Sequence, residues 1–362
     1  DKYFYIAKEY KNIGRYPVII TQNIFNTDIE RSKKFNCEIK IIKGSPFVRF
    51  FKIFNFIIIE KPKYVDIYDY TIFTILYVIL TKILKIKTTI FIIGSELKWI
   101  DKDNKGKLKL KNIIIKFIKT PLTWLSLFIS DFIIAKEYHQ FLYISKFKYL
   151  KRKTLFLNNS VPVKKYKNIG KKRNLSFIYY NAIIKSRHVD DILIACKKLE
   201  EQNKEYSTEI VGFYCLSEKT TVSIRDYDTE VKIINLFKNL NLLNVKIEPF
   251  SDNAEYFFSR AKFFLFPAEI VFLNYSLLEA MASGVVPIVY NGEGADKIIK
   301  NGINGFIIEN NSKSLYNIMN YVLGIKDDDF LKLSKAAYKT VYENYSIEAW
   351  VNKIDSFRKI KH

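Results

Sequence analysis

The sequence predicts an α/β protein built from two consecutive βα halves, and three observations predict it. Short β-branched runs alternate with longer helical stretches, the rhythm of βαβ units around a parallel sheet. The alternation halts at Val163–Arg173, where six basic residues and no long apolar run read as an exposed linker, and then restarts. The length of 362 residues suits about two domains of roughly 150 residues each. Apolar residues make up 49% of the chain, enough for two cores and too many for wholesale disorder.

In the first half, strands are expected near Tyr3–Ala7, Glu38–Ile42, Tyr64–Ile67, Thr88–Ile93, Phe132–Ala135 and Leu155–Leu157. Helical spacing marks Phe47–Glu60, Tyr70–Leu84 and Leu108–Phe128. In the second half, strands are expected at Leu175–Tyr179, Thr208–Val211, Val245–Ile247, Lys262–Phe266, Val285–Val289 and Gly305–Ile308. Helices are expected at Asp190–Gln202, Tyr227–Leu240, Ala254–Arg260, Tyr275–Ala282 and Ser312–Leu323, and from Asp328 onward. The expected domains are 1–165 and 174–344, with a last helix from about 345 returning to the first. Two such halves facing each other leave a cleft, and open α/β sheets bind ligands at the carboxyl ends of their strands.

Charge separates the halves. The chain carries 59 Lys and Arg against 37 Asp and Glu, a formal net charge of +22. Residues 1–160 hold 30 basic and 13 acidic side chains (+17), whereas 161–362 hold 29 and 24 (+5). The first half therefore suits an anionic surface partner. Within Leu108–Phe128, Lys109, Lys116 and Lys119 fall inside an arc of about 80° beside an apolar face that includes Trp124. That is the pattern of an interfacial helix on anionic lipid headgroups, although the same pattern also describes a core face with a solvated lysine stripe. Nucleic acid is not expected, since no basic motif with interleaved aromatics and glycines appears.

Three cysteines (Cys37, Cys196 and Cys215) are too few and too scattered for a disulfide framework or a thiolate metal site. The longest uncharged stretch, Ala280–Gly292, has 13 residues, and a bilayer span needs roughly 18 or more, so no transmembrane helix is expected. Residues 1–16 lack the apolar segment of a secretion signal. The expected location is cytoplasmic, peripheral on the inner face of the membrane. Asp101/Asp103, Asp226/Asp228 and Asp327/Asp329 fall in polar loops or helix starts, so no metal or other cofactor is expected.

The most informative stretch is Phe263–Ile308. A buried strand closed by Pro267 runs through a loop into a short helix, and Gly284 releases the chain into a second strand. Asn291–Gly294 marks a turn whose amides could face a ligand. Glu279 is placed in the first turn of the short helix, toward the strand-end crevice, where a carboxylate accepts hydrogen bonds from a diol such as a ribose. Ser276-x-x-Glu279 is equally the spacing of a capping box, in which the glutamate only satisfies a helix-end amide.

The run SLLEAMASGVVPIV (276–289), with the glycine turn and KNGINGFII (300–308) after it, resembles the C-terminal signature of retaining glycosyltransferases of the GT-B fold, family 4, or glycosyl transferases group 1. Further pieces match in order: Leu157–Val161 resembles the "PNGV" loop, Arg187–Ala195 the "KGxxxLIxA" segment, Glu209–Gly212 the "LxIxG" strand, and Tyr342–Trp350 the start of the last helix. The resemblance covers residues 130–355 well and the first 130 only in rhythm.

The resemblance implies two Rossmann-like domains facing each other across a cleft. It implies a nucleotide-sugar donor, and together with the cationic first half the expected acceptor is a cell-surface glycan or its lipid-linked precursor at an anionic membrane surface. Glu279 matches the family's ribose-associated carboxylate, and Arg187 the lysine of the diphosphate clamp. Asn181, Ser276, Gly292, Glu293 and Gly294 fall in donor-binding segments, and Gly14 is the best match to the N-terminal glycine loop. The chain also departs from the pattern. Val271 stands where the first carboxylate of the Glu-x7-Glu pair belongs, with Glu269 as the nearest substitute. Ala182 replaces the clamp's arginine, with Lys185 as the nearest cation, and Ile93–Glu96 replaces a histidine-glycine step. These losses also fit a catalytically silent homologue that serves as a membrane-associated scaffold or partner subunit.

Overall fold

A computed structural model describes residues 2–21, 26–68, 73–93, 110–166, 170, 172–217, 226–272 and 274–360. The chain divides into one unit made of 1–159 and 350–362 and a second made of 160–349. In the first unit, strands β1 (Val18–Thr21) and β2 (Glu38–Ile41) form a parallel pair. Strands β3 (Tyr64–Ile67), β4 (Lys87–Ile92), β5 (Phe132–Ala135) and β6 (Thr154–Phe156) form a parallel sheet in that order. Strand β5 (FIIA) is buried along its whole length, as expected for a central strand with both faces covered. Its Ile133 joins Ile90 and Ile92 of β4 in a core completed by Val78, Leu127, Ile144 and Leu150 from the flanking helices.

The start of the chain departs from expectation. Lys2–Asn12 is a helix, so no strand occupies Tyr3–Ala7, and the first strand is the short Val18–Thr21 run behind Pro17. Phe4, Ala7 and Tyr10 recur every third residue and are buried, the spacing of a helix face. The last helix, Ile347–Ile360, belongs to this unit from Trp350 on. Its Trp350 indole donates to the Asn158 carbonyl at 2.9 Å, and Arg358, 2% exposed, pairs with Asp66.

The second unit is a six-stranded parallel sheet: β7 (Leu175–Tyr180), β8 (Thr208–Phe213), β9 (Val245–Pro249), β10 (Ala261–Phe266), β11 (Val286–Tyr290) and β12 (Phe306–Ile308). The spatial order is β12-β11-β10-β7-β8-β9. Helices Val189–Glu201, Tyr227–Leu240, Ala254–Arg260, Tyr275–Ala282 and Ser312–Leu323 connect or follow these strands. The expected linker is only partly a linker. Val163–Tyr166 forms a helical turn with Val163 and Tyr166 buried. Arg173, counted among its solvated cations, lies 7% exposed and donates to the carbonyls of Phe258 at 2.9 Å, Ala261 at 2.5 Å and Ser283 at 2.5 Å. One guanidinium thus ties the ends of two helices and the start of β10.

Candidate active site of the second unit

The chain leaves β7 toward β8 and β9 on one side, and β10 returns to pair with β7 on the other. The strand order therefore reverses between β7 and β10, the switch point at which open α/β sheets bind ligands. A cavity of about 190 Å³ opens at the carboxyl ends of the strands. Tyr180, Asn181 and Ala182 line it from the end of β7, and Val211, Gly212 and Tyr214 from the end of β8. Phe250 and Ser251 follow β9, and Arg187 and Ser276 complete the wall.

Close backbone approach shapes this cavity. Gly212 has φ +140°, and a Cβ there would lie 1.8 Å from the Asn181 carbonyl oxygen, so no other residue lets β8 end against β7 in this way. The Asn181 amide donates to Asn274 Oδ1 at 3.1 Å, and Asn274 in turn caps helix Tyr275–Ala282 by accepting from the Leu277 amide at 3.1 Å. Tyr214 and Phe250 stack at 4.5 Å between centroids, giving the cavity an aromatic wall. Arg187 ends the helical turn Lys185–Arg187 and donates to the Ala182 carbonyl at 2.8 Å, which holds its guanidinium at the cavity.

Glu279 does not cap its helix. Asn274 occupies the N-cap, so the capping-box reading of Ser276-x-x-Glu279 does not hold, and Glu279 stands in the second turn instead of the first. Its Oε1 accepts from the Tyr166 hydroxyl at 2.9 Å. Burial pushes its carboxyl above the usual glutamate range, against the opposing effects of the Tyr166 hydrogen bond and the Lys165 charge. Glu279 is not part of the cavity wall, but its charge reaches Tyr180, which is.

Three loops lock together beyond β7, β10 and β11. The Glu269 amide donates to the Ser186 carbonyl at 3.0 Å, and the Glu293 amide to the Glu269 carbonyl at 2.7 Å. The amides of Val271 and Phe272 both donate to the Glu293 carbonyl at 3.1 Å. Gly292 and Gly294 serve this lock, since a Cβ at Gly292 would lie 2.4 Å from the Ala268 carbonyl oxygen and one at Gly294 2.4 Å from Phe272 Cβ. The Glu293 amide, expected to face a ligand, is therefore turned to Glu269. Val271 is fully buried, while Glu269 points outward with its carboxylate 3.2 Å from His188 Nε2. Lys185 is exposed and outside the cavity wall.

Other expected site residues fall elsewhere. Gly14 precedes β1 and closes helix Lys2–Asn12 with φ +76°, its amide donating to the Lys11 carbonyl at 2.9 Å, so it lies in no strand-end loop. Lys109 lies outside the described residues, as do the side chains of Lys116 and Lys119 and all of Glu96. Trp124, expected at a lipid surface, packs against Tyr143 at 5.7 Å and Phe147 at 5.2 Å and borders the first unit's core. Sequence reasoning missed Tyr214, Phe250 and Ser251. Tyr214 and Phe250 directly follow strands of the switch-point sheet and Ser251 comes one residue later, positions that could have marked them.

Comparison with known proteins agrees with this geometry. Residues 162–340, just under half of the chain, match the family model described as glycosyl transferases group 1. No curated protein matches the sequence. Among solved structures, a glycosyltransferase from Rickettsia africae is similar at a TM-score of 0.70 and 16% identity, over 98% of this chain and 93% of that one. HepE of Anabaena in complex with UDP is similar at 0.71 and 12%, over 99% and 95%. Sucrose-phosphate synthase of Thermosynechococcus elongatus is similar at 0.68 and 12%, over 98% and 91%. The fold is GT-B, an α/β chain of two Rossmann-like units. The matched segment lies within the second unit, and the match assigns the protein to the glycosyltransferase class of enzymes.

Proposed function

We propose that the protein transfers a sugar, with retention of configuration, from a nucleoside-diphosphate sugar to a glycan or its lipid-linked precursor at the cytoplasmic face of a membrane. The observation that carries the donor half of this reading is the cavity at the switch point, with Arg187 in its wall and Glu279 on the adjoining helix. In the reaction the bond from the anomeric carbon to the diphosphate breaks, a bond to an acceptor hydroxyl oxygen forms, and the hydroxyl proton passes to the departing diphosphate or to solvent. Arg187 would stabilise the charge that develops on the departing diphosphate. Glu279 would accept hydrogen bonds from the ribose, and the Tyr214–Phe250 wall would contact the base. HepE, solved with UDP and with UDP-glucose, supports a nucleoside-diphosphate donor. No metal ion or other cofactor enters this reading.

The buried Val271 favours a second reading, a silent homologue acting as a scaffold. A turnover assay separates the two: the protein is incubated with a panel of nucleotide-sugars and membrane extract, and release of nucleoside diphosphate is followed. The enzyme reading expects release with at least one donor, and a loss of about 100-fold or more in Arg187→Ala. Absence of release with every donor, together with absence of nucleotide binding, supports the scaffold instead.

A further inference from the structure

The first unit carries an apolar surface that its own core does not use. Helix Pro46–Glu60 (PFVRFFKIFNFIIIE) is apolar on nearly every side. Phe50 and Ile57 point inward, and Ile57 packs with Leu80, Ile86, Val65 and Tyr77. Phe47 (64% exposed), Phe51 (60%), Ile59 (76%), Val48 and Ile58 point outward. At helical spacing these five fall within an arc of about 120°. The neighbouring helix, Thr74–Ile83, adds Leu76, Ile79 and Ile83 (72% exposed), spaced i, i+3 and i+7 along one face. Phe47 against Phe73, at 5.3 Å between ring centroids, joins the ends of the two helices. Single exposed apolar side chains are ordinary, but a contiguous set of this kind marks a contact surface.

The charge around this face indicates its occupant. Lys43, Lys52, Lys61, Lys63, Lys82 and Lys85, which lie in the two helices or within a few residues of their ends, are exposed. Of these, Lys82 is paired with Asp131 at 2.9 Å. The acids of the same described stretch, Glu60 and Asp66, are paired with Lys40 and Arg358. A second copy of the chain would bring two cationic rims together. A bilayer rich in anionic headgroups complements both the rim and the apolar centre, and long lysine side chains can reach the headgroups while the apolar residues insert. Among the described residues no helix is long and apolar enough to cross a membrane, and Pro46–Glu60 has 15 residues, so this face lies on a bilayer instead of spanning it.

We infer that the outward faces of helices Pro46–Glu60 and Thr74–Ile83 form the docking surface for an anionic lipid bilayer. The inference rests on the membrane part of the proposed function and replaces the expected stripe of helix Leu110–Ile129 with a different surface. The test is flotation of the full chain with phosphatidylcholine vesicles, with and without phosphatidylglycerol, at low and high salt. The wild type is expected to float with the anionic vesicles at low salt. The Phe51→Ser/Ile59→Ser variant is expected to lose roughly tenfold or more in bound fraction, with an unchanged far-ultraviolet dichroism spectrum. The Phe51→Leu/Ile59→Leu variant should restore binding.

Undiminished flotation of the serine variant overturns the inference. If Lys116→Gln/Lys119→Gln then abolishes flotation, the membrane reading stands and only the surface is wrong. A wild type that fails to float overturns both. A wild-type dimer that the serine substitutions turn into a monomer, without affecting flotation, assigns the face to a second copy and also overturns the inference.

Discussion

At Glu279 a raised carboxyl pKa and a ligand-binding role make opposite demands on pH. If the ionised carboxylate accepts the ribose hydroxyls, donor binding is full above the raised pKa and falls as pH drops through it, above the range of an ordinary glutamate. In Glu279→Gln this acid limb should disappear from a pH series of nucleotide affinity. Stability runs the other way. The folded state holds the proton over a range where the unfolded chain has released it, so this group's cost is absent at low pH and grows as pH rises through the raised pKa. The Gln variant should therefore melt no lower than the wild type at neutral pH, as a glutamine oxygen can still accept from Tyr166. Arg173 is the structural counterpart. Burial draws its pKa down to about 10, which leaves it charged at neutral pH on three carbonyls. Arg173→Met should cost about 3 kcal/mol or more in denaturant unfolding, because those carbonyls lose their donor.

Among the elements, helix Tyr275–Ala282 couples cap and site. Asn274 holds both the Leu277 amide and the Asn181 side chain, so Asn274→Ala should cost about 1 kcal/mol of stability and also weaken nucleotide binding, measurable by calorimetry. Most elements were legible because their runs were long or strictly bounded: β3, β5 and helix Tyr227–Leu240 lie where spacing places them. Failures came where pattern and chemistry disagreed. YFYIA reads as a strand by composition, yet Tyr10 three residues beyond Ala7 extends a helical face. Val163–Arg173 reads as solvent-exposed by charge, but Arg173 and Tyr166 are buried by partners distant in sequence. The outward face of Pro46–Glu60 was hidden in the same way, since an all-apolar helix does not announce which of its sides the core will cover.

For the molecule as a whole, charge and surface features differ between the two units. The nearly balanced second unit holds the family-matched segment and the switch-point cavity, and the cationic first unit holds the apolar helix faces. The site was legible in outline through Arg187, Asn181 and Ser276, which the fold brings to one cavity wall. Its aromatic wall was not, because Tyr214 and Phe250 sit thirty-six residues apart and meet only once β8 and β9 pair. The most direct measurement is isothermal titration of UDP, GDP and ADP into the full chain and into Glu279→Ala. At least one nucleotide should bind the wild type, with affinity lower by roughly 10-fold or more in the variant, the loss of a charged hydrogen-bond acceptor. An unchanged dissociation constant in Glu279→Ala, or binding of none of the three to the wild type, would contradict the account.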